Sequence, residues 1–190
     1  MLNQMLIFLL DTLLGLFSLA LLLRFYMQLL RAPYRNPLSH FLIALTDFLV
    51  KPARRIIPSF RSMDLSTLLL AWLMQTIMLA GMYKLQGYSL GSNIGLATGA
   101  LALLGMVGII RMTLYIIMAA IIIQAILSWI NPYSPLAPLL DSFTRPFLGV
   151  IRARIPPIGN VDLSPLFVLV IIQMLLFVAG GAEREISRLF

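Results

Sequence analysis

Long unbroken apolar runs alternate along the chain with short stretches where apolar and polar residues take turns at helical spacing. Leu2–Leu23 holds one charged residue, Asp11, and Leu65–Tyr83, Met112–Ile130 and Leu163–Gly181 hold none. A membrane helix needs roughly 20 apolar residues. Backbone in lipid must satisfy its own hydrogen bonds, so each run is predicted to be a spanning helix. Between the first two runs, Leu38, Phe41, Leu42, Leu45, Phe48 and Leu49 recur at three- and four-residue spacing and form one stripe of a helix. Asn36-Pro37 marks its start, a capping side chain followed by a residue suited to the first helical position. Between the last two runs, after Ser134-Pro135, Leu136, Leu139, Leu140, Phe143 and Phe147 share a similar face. Pro52 and Pro146 are predicted to interrupt these two helices. Too short to span and flanked by basic residues, both are predicted to lie in the membrane interface.

The two connectors are versions of one text. Asp64-Leu65-Ser66 returns as Asp162-Leu163-Ser164, 98 positions on, and the same offset pairs Arg54 with Arg152 and Gln75 with Gln173. It also pairs Ile57-Pro58 with Ile155-Pro156. Lys51-Pro52 meets Arg145-Pro146 at 94, which implies an extra helical turn in the second copy and leaves Thr46 unmatched. Asn36-Pro37 meets Asn131-Pro132 at 95, and Asp11 and Arg24 meet Arg111 and Gln124 at 100. The predicted fold is an all-α membrane protein of two tandem parallel repeats, each with two transmembrane helices joined by an interfacial amphipathic helix, four spans in total. The first repeat covers 1–86, with spans at about 2–30 and 65–84 and an interfacial helix at 37–51. The second covers 111–190, with spans at about 111–130 and 163–181 and an interfacial helix at 135–147. Two spans per half give both halves one orientation, so the expected relation is an axis along the membrane normal.

Residues 87–110 strain this scheme, because Ile94–Ile130 is apolar except for Arg111 and too long for one crossing. Either Arg111 lies near the outer interface and Ile94–Ile110 is a helical extension, an interfacial piece or a re-entrant piece, or Arg111 turns between two spans. The first reading is favoured, since no Gly, Pro or Asn stands beside Arg111 to make a turn.

Charge sets the orientation. The 190 residues carry 14 Lys and Arg against 7 Asp and Glu, a net +7. Arg31, Arg35, Lys51, Arg54, Arg55 and Arg61 crowd the first connector, and Arg145, Arg152 and Arg154 the second. Short basic loops stay on the cytoplasmic side. Both connectors are therefore predicted to be cytoplasmic and both termini outside. Each cation near an anionic leaflet contributes ~1 kcal/mol. This makes anionic lipid headgroups the first expected partner of Lys51, Arg54, Arg55, Arg61, Arg145, Arg152 and Arg154, with a membrane-protein partner or a second copy next. Nothing points to direct nucleic-acid binding. The N-terminus lacks a basic segment and a cleavage site, so Leu2 onward is read as a retained span.

Candidate chemistry is sparse. There is no cysteine, one histidine (His40), and no phosphate loop, HExxH or nucleophile elbow. No cofactor, metal site or enzymatic activity is expected. Asp64 with Ser66, and Asp162 with Ser164, are read as caps of the following spans or as clasps to the preceding arginines. Ser164 is read as the cap before Pro165. Within the spans, Gln75 and Gln173 are expected to bond across to neighbouring helices. Arg24, matched by Gln124, is expected to reach the cytoplasmic edge. Asp11 and Arg111 are expected to pair at the outer edge. Gly91, Gly95 and Gly99 form a small-residue face suited to close helix contact or dimerisation.

The twin NP…F…(K/R)P…R…IP…DLS pattern, with LLLRFYMQLL and AILSWI beside it, resembles the YggT (YlmG-like) family of bacterial membrane proteins over nearly the whole chain. The first copy departs in carrying Thr67 where the second has Pro165. The resemblance implies a multi-pass plasma-membrane protein without a well-established activity. It links the family to osmotic-shock resistance, to cell division or nucleoid distribution and, in plastid relatives, to haem attachment in the cytochrome bf complex. The leading expectation is a non-enzymatic scaffold or assembly factor. The alternative is a small transporter or channel component acting under osmotic shock, and a haem-handling factor is a third, weaker reading.

Overall fold

The computed structural model describes residues 1–33, 36–57, 63–88, 94–131, 134–154 and 162–188. Arg61 and Gly91 lie outside them. Among the described residues there are six helices and no strand element: α1 (Leu2–Leu29), α2 (Pro37–Ile56), α3 (Leu65–Leu85), α4 (Ile94–Ile130), α5 (Ala137–Arg152) and α6 (Ser164–Ser187). α1, α3, α4 and α6 are long and apolar enough to cross a membrane.

The packing order is α1, α3, α4, α6, with α2 laid across α1 and α3 and α5 across α4 and α6. α3 packs on α4, and among the described residues α6 makes no comparable return packing on α1. One core cluster joins Leu21, Leu22 and Ala71 to Ile116, Ala120 and Phe143, and a second joins Ile117, Ile121, Leu148, Val168 and Ile172.

α4 is one uninterrupted helix of 37 residues, about 55 Å at the α-helical rise. Arg111 makes no turn, and Ile94–Ile110 is the helical extension among the readings open above. The extension packs where glycine permits it. A Cβ at Gly108 would stand 2.7 Å from the Gln75 amide nitrogen, and one at Gly105 would collide with Thr76. Trp72 Nε1 donates to the Ala102 carbonyl at 3.0 Å along the same seam. A Cβ at Gly95 or Gly99 would meet nothing, so these glycines make no close helix contact among the described residues.

The short helices differ from expectation in two ways. Pro52 and Pro146 sit inside α2 and α5 without ending them. Phe48 and Pro52 are both exposed, so the carbonyl freed by the missing N–H meets solvent or headgroups and the helix continues at modest cost. The apolar stripe also divides. α2 buries Ser39, Leu42, Thr46 and Val50 against the spans and turns Phe41 and Phe48 outward, at 62% and 67% exposure. α5 buries Leu139, Phe143, Thr144 and Leu148 and exposes Leu136, Phe147 and Val150.

Candidate functional site

The described polar groups concentrate where each short helix meets its spans. Asn36 accepts from the Ser39 amide at 2.8 Å and starts α2. About two turns beyond Ser39, Thr46 folds its hydroxyl back onto the Leu42 carbonyl. Arg24 of α1 then donates through one nitrogen, Nη1, to Thr46 Oγ1 at 2.7 Å and to Asp47 at 2.8 Å. Arg24 is buried and ends on α2 instead of standing free. A carboxylate brought by α2 holds it inside, and Lys51 closes the cluster on Asp47 at 2.8 Å. The Asp47 carboxyl titrates below its usual range, first through Lys51, then through Arg24 against the opposing effect of burial.

The second half repeats this geometry with other residues. Thr144 bonds back to the Leu140 carbonyl and donates to Gln124 of α4. Thr144 stands 98 positions after Thr46, and Leu140 the same distance after Leu42. The offset that relates Arg54 to Arg152 thus runs unbroken through the helix. There is no extra turn: Pro146 falls one turn earlier than Pro52, and Arg145 takes the place of Asp47 rather than of Lys51. Where α1 and α2 use a buried ion pair, α4 and α5 use a neutral amide and a hydroxyl.

Two clasps close the far ends. Arg54 reaches Asp64 through Nε at 3.0 Å and Nη2 at 2.5 Å, and Nη2 also donates to Gln28. The Ser66 and Thr67 hydroxyls donate to the same carboxylate, both at 2.5 Å, and the Thr67 amide at 3.4 Å. The Asp64 side chain is 1% exposed. Burial works against its ionisation, but Arg54, Ser66 and Thr67 outweigh burial and hold the carboxyl below its usual range. In the second clasp, Arg152 donates through Nε alone to Asp162 at 2.7 Å, and the Ser164 amide donates at 2.9 Å. Here Asp162 is 36% exposed. Burial again opposes ionisation, and Ser164 and Arg152 overcome it. Ser164 occupies the first helical position instead of the cap, because the Asp162 carboxylate already takes the first amide.

The remaining sequence candidates scatter. Arg111 pairs with Glu183 of α6, not with Asp11, because α6 runs past Gly181 to Ser187 and brings that carboxylate across. The buried Gln75 makes no cross-helix hydrogen bond among the described residues through its carbonyl oxygen. Gln173 donates to the Met118 sulfur at 3.4 Å and is exposed. The paired glutamines therefore do not share an environment. Arg55, Arg145 and Arg154 are exposed, as is Lys51. Sequence reasoning passed over Asp47, Thr46, Thr144 and Glu183. The i, i+4 spacing of Asp47 and Lys51 and the shared offset of the two threonines were the available signals. Among the described residues no cluster of His, Cys, Asp and Glu fits a metal ion.

Asp162 and Arg152 also edge a groove of about 1220 Å³ between α4, α5 and α6, with Gln124 and Ser128 at the same end and Gln173 within it.

A family model described as CCB3/YggT matches residues 3–83 and 103–182. An uncharacterized Pseudomonas aeruginosa protein is 38% identical over 92% of this chain and 87% of its own length. The Escherichia coli K12 protein named uncharacterized protein YggT is 31% identical over 94% of this chain and 89% of its own. An uncharacterized Vibrio alginolyticus protein is 32% identical over 91% and 92%. No solved structure matches.

Proposed function

The chain belongs to the CCB3/YggT family, and from that premise we propose a non-enzymatic, multi-pass scaffold or assembly factor of the bacterial inner membrane. In this reading the chain is a tandem repeat. Each connector helix lies in the cytoplasmic headgroup layer and offers its cations to anionic lipids or to a membrane-protein partner.

The observation behind it is the way α2 and α5 are held. Each buries a narrow, partly polar edge on the spans through Thr46 or Thr144. Each leaves large apolar side chains mostly uncovered, Phe41 and Phe48 in one, with Phe48 touching Phe17 of α1, and Phe147 and Val150 in the other. The exposed Lys51, Arg55, Arg145 and Arg154 stand beside them. Large apolar side chains next to exposed cations suit an interface where acyl chains and phosphates meet. The double match of the family model supports the duplication.

The test replaces Lys51, Arg55, Arg145 and Arg154 together with Gln in the full chain. Photoactivatable phosphatidylglycerol and phosphatidylcholine then report the lipid shell, and crosslinking in native membranes reports partners. The scaffold reading expects the variant to lose its preference for phosphatidylglycerol and its partner crosslinks. A variant that keeps both overturns it.

A further inference from the structure

The two clasps are built alike and left in opposite states. In the first half Asp64 is sealed, and both Nε and Nη2 of Arg54 are engaged. The space beside it is filled, since α4 lays Ile116 and Ala120 into the cluster that contains the fully buried Ala71. Among the described residues of the second half nothing takes the part of α4. The equivalent space is the open groove of about 1220 Å³. It is lined at one end by Arg152 and Asp162 and further along by apolar residues of α6 from Leu163 to Val178. Leu169 and Val170 stand where the first half has Ala71 and Trp72.

The dimensions and charges of this groove fit a lipid. Leu163 to Val178 covers about 22 Å of helix, enough for the acyl chain of one leaflet, about 15 Å deep. Its polar end carries the Arg152 guanidinium beside the single carboxylate of Asp162. Asp162 holds Arg152 only through Nε. That leaves the terminal fork of the guanidinium, the part that matches a phosphate, unbonded by any described residue.

A helix of a second copy suits the groove less well. α4 seats on α3 through Gly105 and Gly108, where a Cβ would collide. The positions of α1 100 residues earlier are Met5 and Phe8, which bar α1 of a second copy from that approach.

We propose that this groove is a binding site for one anionic phospholipid, with its phosphate on Arg152 and an acyl chain along α6. The site rests on the cytoplasmic placement of the connectors proposed above, and names a resident lipid where that reading names a surface.

Native mass spectrometry of the full chain in mild detergent, titrated with phosphatidylglycerol and with phosphatidylcholine, tests it. The wild type should retain one phosphatidylglycerol. Arg152→Gln removes a charge-assisted bond and should weaken retention about tenfold or more. Val170→Trp, which installs the first half's residue without altering charge, should block the chain and have a similar effect. The Lys51, Arg55, Arg145, Arg154 variant should keep this one lipid while losing the diffuse preference, so the two readings fail separately. Thermal unfolding checks that each variant is folded. Should Arg152→Gln not fold, the Val170→Trp result and photolabelling of α6 by phosphatidylglycerol decide. A wild type without bound lipid, unchanged retention in a folded groove variant, or a dimer that protects α6 and excludes lipid would each overturn the proposal.

Discussion

Removing the carboxylate of either clasp should expose their asymmetry directly. Asp64→Ala takes away the acceptor of the Arg54 guanidinium, of the Ser66 and Thr67 hydroxyls and of the Thr67 amide. Arg54 is 43% exposed and can rehydrate. Ser66 and Thr67 are fully buried, and an unsatisfied buried polar group costs about 1–3 kcal/mol. For the two groups together with the lost cap at about 1 kcal/mol, the total is about 3–7 kcal/mol, which includes the range of about 3–5 kcal/mol for breaking a buried ion pair. Asp162→Ala loses an exposed pair worth about 0.2–1 kcal/mol and one cap, about 1–2 kcal/mol together. For a chain of this length 1 kcal/mol moves Tm by about 2–4 °C. Thermal unfolding in one detergent, followed by tryptophan fluorescence at a fixed scan rate, should therefore show a fall of about 10 °C for Asp64→Ala and about 4 °C for Asp162→Ala. Equal falls, or a larger one for Asp162→Ala, would refute the claim that one clasp is sealed and the other open.

Other substitutions probe the neighbouring contacts. Arg24→Ala leaves Asp47 to Lys51 alone and Thr46 to the Leu42 carbonyl, and should cost about 1–3 kcal/mol for the lost charge-assisted bonds. Arg24→Gln copies the second half's Gln124 and should recover much of that loss in the same unfolding assay. Gly105→Leu should force α3 and α4 apart and cost about 1–3 kcal/mol in the same unfolding assay. Gly99→Leu, facing open space, should leave stability unchanged. The Asp64 carboxyl is held below its ordinary value of 3.8. Its contribution is therefore full above that value and is lost as pH falls through the lower folded-state value. Acid should narrow the gap between wild type and Asp64→Ala and leave it unchanged above about pH 5.

Spans were legible because uncharged runs near 20 residues have few other physical solutions. α4 was ambiguous for the same reason, since length alone does not say whether a long apolar run turns at Arg111. The Arg54 and Asp64 pair was visible as a short spacing between opposite charges. The Arg24 and Asp47 pair was not, because its partners lie on different elements and meet only when α2 folds back on α1. Proline misled the alignment: it was taken as a fixed mark, whereas the threonine contacts define the register and proline is free to shift a turn on an exposed face. The stripe of α2 was read as one face turned to the membrane interface. Periodicity identifies an apolar face but not which part meets protein and which meets lipid.

Because the chain has no native cysteine, sidedness can be read one residue at a time. Single cysteines at His40 and Arg154 in the connectors, and at Tyr88 and Arg188 on the opposite side, would be exposed to a membrane-impermeant maleimide in sealed spheroplasts. The account predicts labelling at Tyr88 and Arg188 from outside, and at His40 and Arg154 only after permeabilisation. Labelling of either connector in intact spheroplasts would contradict it.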